Sequence, residues 1–428
     1  RLLASTYDDA TAVHTTDIHD EDTYTADTCH SGKYDFTLVA FAQFGILTTM
    51  WMEQVIYTTH FVVNQHIDEL IRLLYMTCVL SMGIFVADKP SYHIGFFSSY
   101  ALIRVVSILM FLRVSLIPRA IYHAIYHITL HCLIVAALII LIAFHYAGCT
   151  LDYFAIYASF FFVEYMSGIL QWNLSNWCGK EEEYIDKNGQ KRVTKYCCGD
   201  KPKVAIPLNV PHIAERYGLF VMIILGEALI AVMTTDIGEL DLYQTAEWQP
   251  GGEIPDIVKV FFFLMIFIMS YCVGRLYYNC QPSEEDILTG TDTHALRKSR
   301  WSARTYIHTH LILFMGLLGY GIGIKIAGKH VLESGKKYWV DILLPGYSLV
   351  IIVICLQIIR IAHPFDANKC VWICRVLIIV VMAIVPVFAK MWNQAVIWSI
   401  IFLCILGLVA FDVEAAQKRQ RMKQHEDE

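Results

Sequence analysis

The chain has 428 residues, of which 56% are hydrophobic and only 17% are charged, and its formal net charge is −6. A soluble domain needs more charge than this to cover its surface, so the composition excludes an ordinary soluble enzyme. We expect an integral membrane protein with the lipid bilayer as its main partner and with no nucleic-acid partner.

The apolar residues fall in eleven blocks, each long enough to form the helix of about 20 residues that crosses a bilayer. The blocks are continuous runs rather than the ten-residue alternations of a transmembrane barrel. The sequence therefore predicts an all-α, polytopic transmembrane helix bundle with about eleven spans. The predicted spans are 36–60, 67–87, 92–117, 124–147, 151–170, 213–234, 257–279, 305–327, 339–361, 371–389 and 392–413.

The polar segments divide the chain and orient it. An acidic N-terminal segment, residues 1–35, precedes a first helix group at 36–170, and a lysine-rich loop at 171–209 separates it from a second group at 210–413. The C-terminal tail, 414–428, is also basic near the last span. Positive residues mark the cytoplasmic side, so we expect the loop and the tail to be cytoplasmic and the N-terminal segment to be extracytoplasmic.

A weak internal repeat is visible. One span ends near Tyr57 and a later one near Tyr277, and each is followed by a charged turn and a span that opens with an arginine, Arg72 or Arg304. If the two halves repeat, the block at 213–234 lacks a partner. A helix preceding residue 1 would supply that partner, which would give twelve spans in two six-helix halves.

The most informative stretch runs from His212 to Glu227 and reads HIAERYGLFVMIILGE. Arg216 follows His212 by four residues and precedes Glu227 by eleven, about three helical turns, so the three side chains share one stripe. A charge at the bilayer centre costs about 2.5–3.5 kcal/mol on insertion scales. We therefore expect Glu227 to face the interior of the bundle, and Gly218 and Gly226 to permit close helix approach.

This stretch resembles the low temperature requirement protein A family, whose pattern has a His, then Glu-Arg-aromatic-Gly-Leu-Phe, and then Leu-Gly-Glu. A second match begins at Arg304 and contains Tyr306, His308 and His310 before a glycine-rich helix. The resemblance implies that His310 is the equivalent of the family's histidine at this place. It also implies a membrane protein but no particular reaction, because the family's activity is poorly defined.

One departure from the family concerns the start of the chain. The family's first helix contains Glu-Leu-Phe-Phe-Asp-Leu-Val-Phe, and no such segment occurs in this sequence. We therefore expect that the chain is a fragment or that it has lost the segment. Any site that the family shares with that helix is in doubt here.

Further charges lie within the predicted spans. Arg104 is in mid-span, and Glu53 and Glu164 lie within spans nearer one end. These charges have two interpretations: a polar pathway through the bundle, or buried ion pairs that only fix helix packing. Asp341 and Arg375 are close to span ends, where we expect their side chains to reach the membrane surface.

Histidine spacing gives a rival hypothesis. His123, His127 and His131 repeat every four residues, and His145 follows His131 by fourteen. Membrane b-type cytochromes hold two stacked haems with such spacing, but a second helix must supply the other axial ligands. No second pair occurs at that distance, so we expect no haem.

Cysteines give no stronger indication of a cofactor. Cys178, Cys197 and Cys198 share one polar loop, and a zinc site there is conceivable. Their spacing matches no known metal pattern, so ordinary loop cysteines are the default interpretation. We expect no metal and no cofactor.

Three functions fit these observations. The favoured one is a transporter or channel-like protein for a small solute, an ion or a proton. The alternatives are a membrane-embedded redox or other enzyme, and a scaffold or sensor without transport. The enzyme is disfavoured because the sequence has no His-Glu-x-x-His, nucleophile elbow or nucleotide loop. The candidate pathway residues are Glu227, Arg216, Glu215, His212, His310, Arg104, Glu53 and Glu164.

Overall fold

The structure is a computed structural model, and the residues it describes cover most of the predicted spans. Cys178, Cys198 and most of the acidic segment 1–35 lie outside the described residues. The described residues are 31–61, 66–86, 90–117, 120–147, 152–177, 179–185, 191–197, 209–233, 256–281, 294–333, 340–363, 369–390 and 394–427.

The chain forms two compact units, Leu2–Asn209 and Val210–Glu428. In the first unit, long helices follow one another with short connections. They are α1 (Ser31–His60), α2 (His66–Ile84), α3 (Pro90–Ser115), α4 (Ile121–Tyr146) and α5 (Tyr153–Trp177).

A β-hairpin follows α5 in the lysine-rich loop, where no regular structure was predicted. Strand β1 (Gly179–Ile185) pairs antiparallel with β2 (Lys191–Cys197). The strands contain the β-branched and aromatic residues that favour a pleated backbone. The residues between the strands, 186–190, lie outside the described part of the chain.

Six long helices lie among the described residues of the second unit. A single helical turn, Ala295–Lys298, precedes the third of them, and a 3₁₀ segment, Val385–Lys390, follows the fifth. Pro386 disfavours the α conformation in the residue before it, which explains why the α-helix ends at Ile384. The six helices are α6 (Val210–Met233), α7 (Asp256–Asn279), α8 (Arg300–Glu333), α9 (Val340–Ala362), α10 (Lys369–Ile384) and α11 (Gln394–Asp427).

The eleven predicted blocks correspond one to one with the eleven long helices of the described chain. Seven of these helices are long and apolar enough to cross a membrane, which agrees with the predicted polytopic bundle. That the other four, α1, α2, α5 and α6, also cross the bilayer stays a prediction. The seven spans are His93–Ser115, His123–Tyr146, Val260–Asn279, Trp301–Gly328, Ile342–Ala362, Val371–Ala389 and Val396–Glu414.

The spans expose large apolar side chains, most clearly on α4. On α4, only 17% of the span is buried inside the protein, and large side chains such as Leu133, Ile139 and Phe144 are more than half exposed. A soluble protein rarely exposes so continuous an apolar surface. These side chains therefore have the exposure expected of a surface that faces lipid.

The two units share the packing order of three helix pairs, although in the second unit α10 also packs on α11. In the first unit, α2 packs on α3, α3 on α4, and α1 on α5. In the second unit, α8 packs on α9, α9 on α10, and α7 on α11, while α6 packs on α7 and α8. This correspondence supports the predicted repeat, with α6 as the helix that has no counterpart among the described residues.

Helices α8 and α9 approach each other closely at Gly323. A Cβ atom built on Gly323 would lie 2.6 Å from the backbone nitrogen of Pro345, closer than two unbonded atoms can come. Only glycine fits at this position of α8. At Gly328, five residues later in the same helix, a Cβ would meet no described atom within 4 Å.

We predict that Gly323→Ala lowers the free energy of unfolding by about 1–3 kcal/mol, because the added methyl group overpacks the contact with Pro345. Gly328→Ala is the matched control, and its higher helix propensity makes it neutral or stabilising by up to about 1 kcal/mol. Denaturant titration of the purified protein in detergent, followed by circular dichroism, measures both. Equal stabilities of the two variants would contradict the close approach.

Candidate functional site

Arg104 is fully buried in the middle of α3 and lies between two carboxylates. Its Nη1 atom is 2.5 Å from Oε2 of Glu53 on α1, and its Nη2 atom contacts Oε1 of Glu164 on α5. A buried cation is tolerated only when it is paired. The Arg104 guanidinium therefore links α1, α3 and α5 in the interior of the first unit.

Tyr100 completes the surroundings of Glu164. It lies one helical turn before Arg104, and its hydroxyl donates a hydrogen bond to Oε1 of Glu164. The Arg104 guanidinium carbon is 5.3 Å from the centroid of the same tyrosine ring, within the range of a cation–π contact. The positive charge of Arg104 thus balances the charge of the Glu164 carboxylate, and the uncharged hydroxyl of Tyr100 orients that carboxylate.

Two histidines of α4 approach Glu53 from another side. His131 Nε2 lies 2.9 Å from Glu53 Oε1, and His131 Nδ1 lies 3.4 Å from Arg104 Nη1. His127, one turn earlier, places Nδ1 3.4 Å from the same glutamate oxygen. Phe111 stacks on the His127 ring with centroids 4.1 Å apart and planes within 1°.

These side chains form the Arg104 cluster: Glu53, Tyr100, Arg104, His127, His131 and Glu164. They come from four helices of the first unit, α1, α3, α4 and α5. The described cluster thus holds two carboxylates, one guanidinium and two imidazoles in the interior of one unit. Charged groups attract one another more strongly in such a low-dielectric interior than in water.

The structure thus brings together Arg104, Glu53 and Glu164, three of the candidate pathway residues. No sequence pattern indicated Tyr100, and the spacing of His127 and His131 indicated only haem ligands. Their four-residue spacing on one helix face was the available signal. It could not show that this face meets Glu53, which is more than seventy residues earlier in the chain.

The predicted stripe on α6 is located differently. Glu227, Arg216 and Glu215 are exposed, and His212 is partly buried. The expectation that Glu227 faces the interior is therefore wrong, since the opposite face of α6 packs inward. That buried face is formed by apolar and aromatic residues at helical spacing: Ile213, Tyr217, Val221, Ile224, Leu225 and Ala228.

The glycines of this helix also differ from expectation. A Cβ on Gly218 would lie 3.6 Å from the Tyr278 ring of α7, an ordinary van der Waals distance. A Cβ on Gly226 would meet no described atom within 4 Å. The helix motif therefore does not create an unusually close approach at either glycine.

His310 is fully buried in α8, in an aromatic pocket of the second unit. Its Nδ1 lies 2.7 Å from the Tyr306 carbonyl oxygen, to which it donates. Its Nε2 is 3.3 Å from the Tyr277 hydroxyl and is left to accept. The ring centroids of Tyr217 and His310 are 4.8 Å apart. The residue of the α6 motif that points into the second unit is therefore an aromatic ring, which packs on a neutral histidine.

A second buried ion-pair group lies in the second unit. Arg360 on α9 binds Asp412 on α11 through two bonds of 2.5 and 2.6 Å, and Arg375 on α10 donates to the same carboxylate at 2.8 Å. The expectation that Arg375 reaches the membrane surface is wrong, because the side chain is fully buried and Asp412 binds it there. The side chain of Asp341 lies outside the described side chains.

Apolar spans, an apolar outer surface and ion pairs in the interior define a polytopic helical membrane protein with buried charged residues. The sequence model of the family described as bacterial low temperature requirement A protein (LtrA) matches residues 22–410. The chain belongs to this family, which confirms the resemblance seen in the motif from His212 to Glu227. A search of the curated proteins and a search of the solved structures give no match.

We predict that Arg104→Met lowers the free energy of unfolding by about 3–5 kcal/mol, because it leaves two buried carboxylates without their cation. Arg113→Met, at the partly exposed end of the same helix, is the control and costs at most about 1 kcal/mol. Denaturant titration in detergent compares the two. A loss at Arg104 no larger than the loss at Arg113 would contradict the buried pairing.

A similar prediction applies to the second unit. Asp412→Asn removes the charge that holds Arg360 and Arg375 together, so the free energy of unfolding falls by about 3–5 kcal/mol. Glu414→Gln, two residues later and exposed, is the matched control and changes it by less than about 1 kcal/mol. Thermal unfolding in detergent, followed by circular dichroism, gives the comparison. Similar melting temperatures of the two variants would show that the triad contributes little.

Proposed function

We propose that the protein is a transporter or channel-like protein for a small solute or an ion, and that the Arg104 cluster is part of its polar pathway. The observation that carries the proposal is the convergence of four helices on buried ionisable side chains that contact one another. Buried ionisable residues in membrane proteins commonly mark such pathways.

Partial exposure favours a pathway over a purely structural ion pair. The Glu53 side chain is 20% exposed, while Arg104, to which it is bonded, is fully buried. His127, on the same side as Glu53, is also partly exposed. Part of each side chain thus reaches the surface of the first unit, although Glu53 Oε1 and His127 Nδ1 themselves are buried, whereas Arg360 and Asp412 in the second unit are both almost fully buried.

Transport is preferred to catalysis because the sequence lacks the common nucleophile, metalloprotease and nucleotide motifs. The orientation proposed from the charge distribution places the C-terminus in the cytoplasm. The excess of lysine and arginine in the loop at 171–209 and after the last span supports that orientation.

We expect the purified protein to catalyse ion flux when it is reconstituted into liposomes, and we expect Glu164→Gln to reduce that flux at least tenfold. The substitution keeps the size of the side chain but removes one charge that balances Arg104. Flux of K⁺, Cl⁻ and H⁺ would be followed with a potential-sensitive dye and an entrapped pH dye.

Glu227→Gln is the control, because Glu227 is exposed on α6 and lies outside the cluster, and it should leave the flux unchanged. Equal flux in the Glu164 variant and the original protein would remove the cluster from the pathway. Absence of protein-dependent flux for all three ions would contradict ion transport.

A further inference from the structure

We propose that Glu53, His127 and His131 bind a divalent transition-metal ion of the Zn²⁺ or Co²⁺ class. Two imidazoles and one carboxylate suit such ions, whereas Ca²⁺ and Mg²⁺ prefer oxygen ligands alone. The inference concerns equilibrium binding, so it does not depend on the proposed transport. It replaces the expectation that the chain has no metal ligands.

The spacing of the ligand atoms fits an ion. Glu53 Oε1, His127 Nδ1 and His131 Nε2 all lie within 4.8 Å of one another. The glutamate oxygen is 3.4 Å from the His127 nitrogen and 2.9 Å from the His131 nitrogen. Ligands that lie about 2.0–2.2 Å from a tetrahedral zinc ion are roughly 3.3–3.6 Å apart. Small side-chain movements would therefore complete the coordination.

The same three atoms lack other partners. Each is buried, and none makes a hydrogen bond of acceptable geometry to a described atom, although they lie close together. Buried polar atoms are normally satisfied, and leaving one unsatisfied costs about 1–3 kcal/mol. One cation at their meeting point would satisfy all three atoms at once.

The surroundings hold the ligands in place. Phe111 stacks on His127, and the i, i+4 spacing on α4 directs both imidazoles to the same side. Arg104 binds the other oxygen of Glu53, Oε2, and leaves Oε1 to face the histidines. Such supporting contacts orient metal ligands in known sites.

Arg104 is also the main charge that opposes a cation here. Its Nη1 is 3.4 Å from His131 Nδ1, and metal binding through Nε2 puts the histidine proton on Nδ1, so this contact must lengthen. Glu164 on the far side of Arg104 offsets the guanidinium charge. Three protein ligands leave a fourth position for water or hydroxide, as in exchangeable rather than structural zinc sites.

Co²⁺ is a suitable probe because its visible absorption reports its ligands. The full chain, purified in detergent and stripped with a chelator, would be titrated with Co²⁺ and its affinity measured by equilibrium dialysis. We expect the original protein to bind Co²⁺ with a nitrogen- and oxygen-ligated spectrum. His127→Gln and His131→Gln should each weaken that binding at least about tenfold.

His145→Gln is the matched control. His145 lies on the same helix, but its Nδ1 bonds to the Tyr153 hydroxyl at 2.7 Å, away from the cluster, so binding should be unchanged. If His131→Gln fails to fold, His127→Gln decides, because His127 is at the edge of the cluster. The proposal fails if the original protein does not bind Co²⁺, if its spectrum shows thiolate ligands only, or if His127→Gln binds as tightly as His145→Gln.

Discussion

A buried arginine between two carboxylates is the interaction on which the first unit depends. Moving a guanidinium out of water costs several kcal/mol even after the protein relaxes, and Arg104 is fully buried. The attraction of Arg104 to Glu53 and Glu164 offsets that cost only if α1, α3 and α5 keep their relative positions. The same requirement brings His131 and Tyr100 against the charges, so the helix packing and the candidate site have a common electrostatic cause.

The second unit also contains a buried arginine–carboxylate pair, but with different neighbours. In both units, an arginine on the third helix of the shared packing order binds a carboxylate on the fifth: Arg104 with Glu164, and Arg360 with Asp412. The second pair is bidentate and is joined by another arginine. The first is joined by histidines and a partly exposed glutamate. This difference is why the proposed pathway and the proposed metal site are assigned to the first unit, while the second group is interpreted as a packing contact.

The helices could be predicted from hydrophobic run length, because the bilayer sets that length. The burial of Arg104 and Glu164 could be predicted in outline, since a charge in mid-span must find a partner. The location of Glu227 could not, because helical periodicity shows which side chains share a face but not which face packs inward. The partners were also inaccessible to local patterns: Arg104 lies 51 residues from Glu53, and Tyr217 meets His310 from a different helix.

The most direct test of this account is the interaction energy between Arg104 and Glu164, measured by a double-mutant cycle. The unfolding free energies of the original protein, Arg104→Met, Glu164→Gln and the double variant would be compared in detergent. If the two charges stabilise each other in the interior, the double variant loses less than the sum of the single losses, by about 0.5–3 kcal/mol. Losses that add to within about 0.5 kcal/mol would contradict the buried pairing.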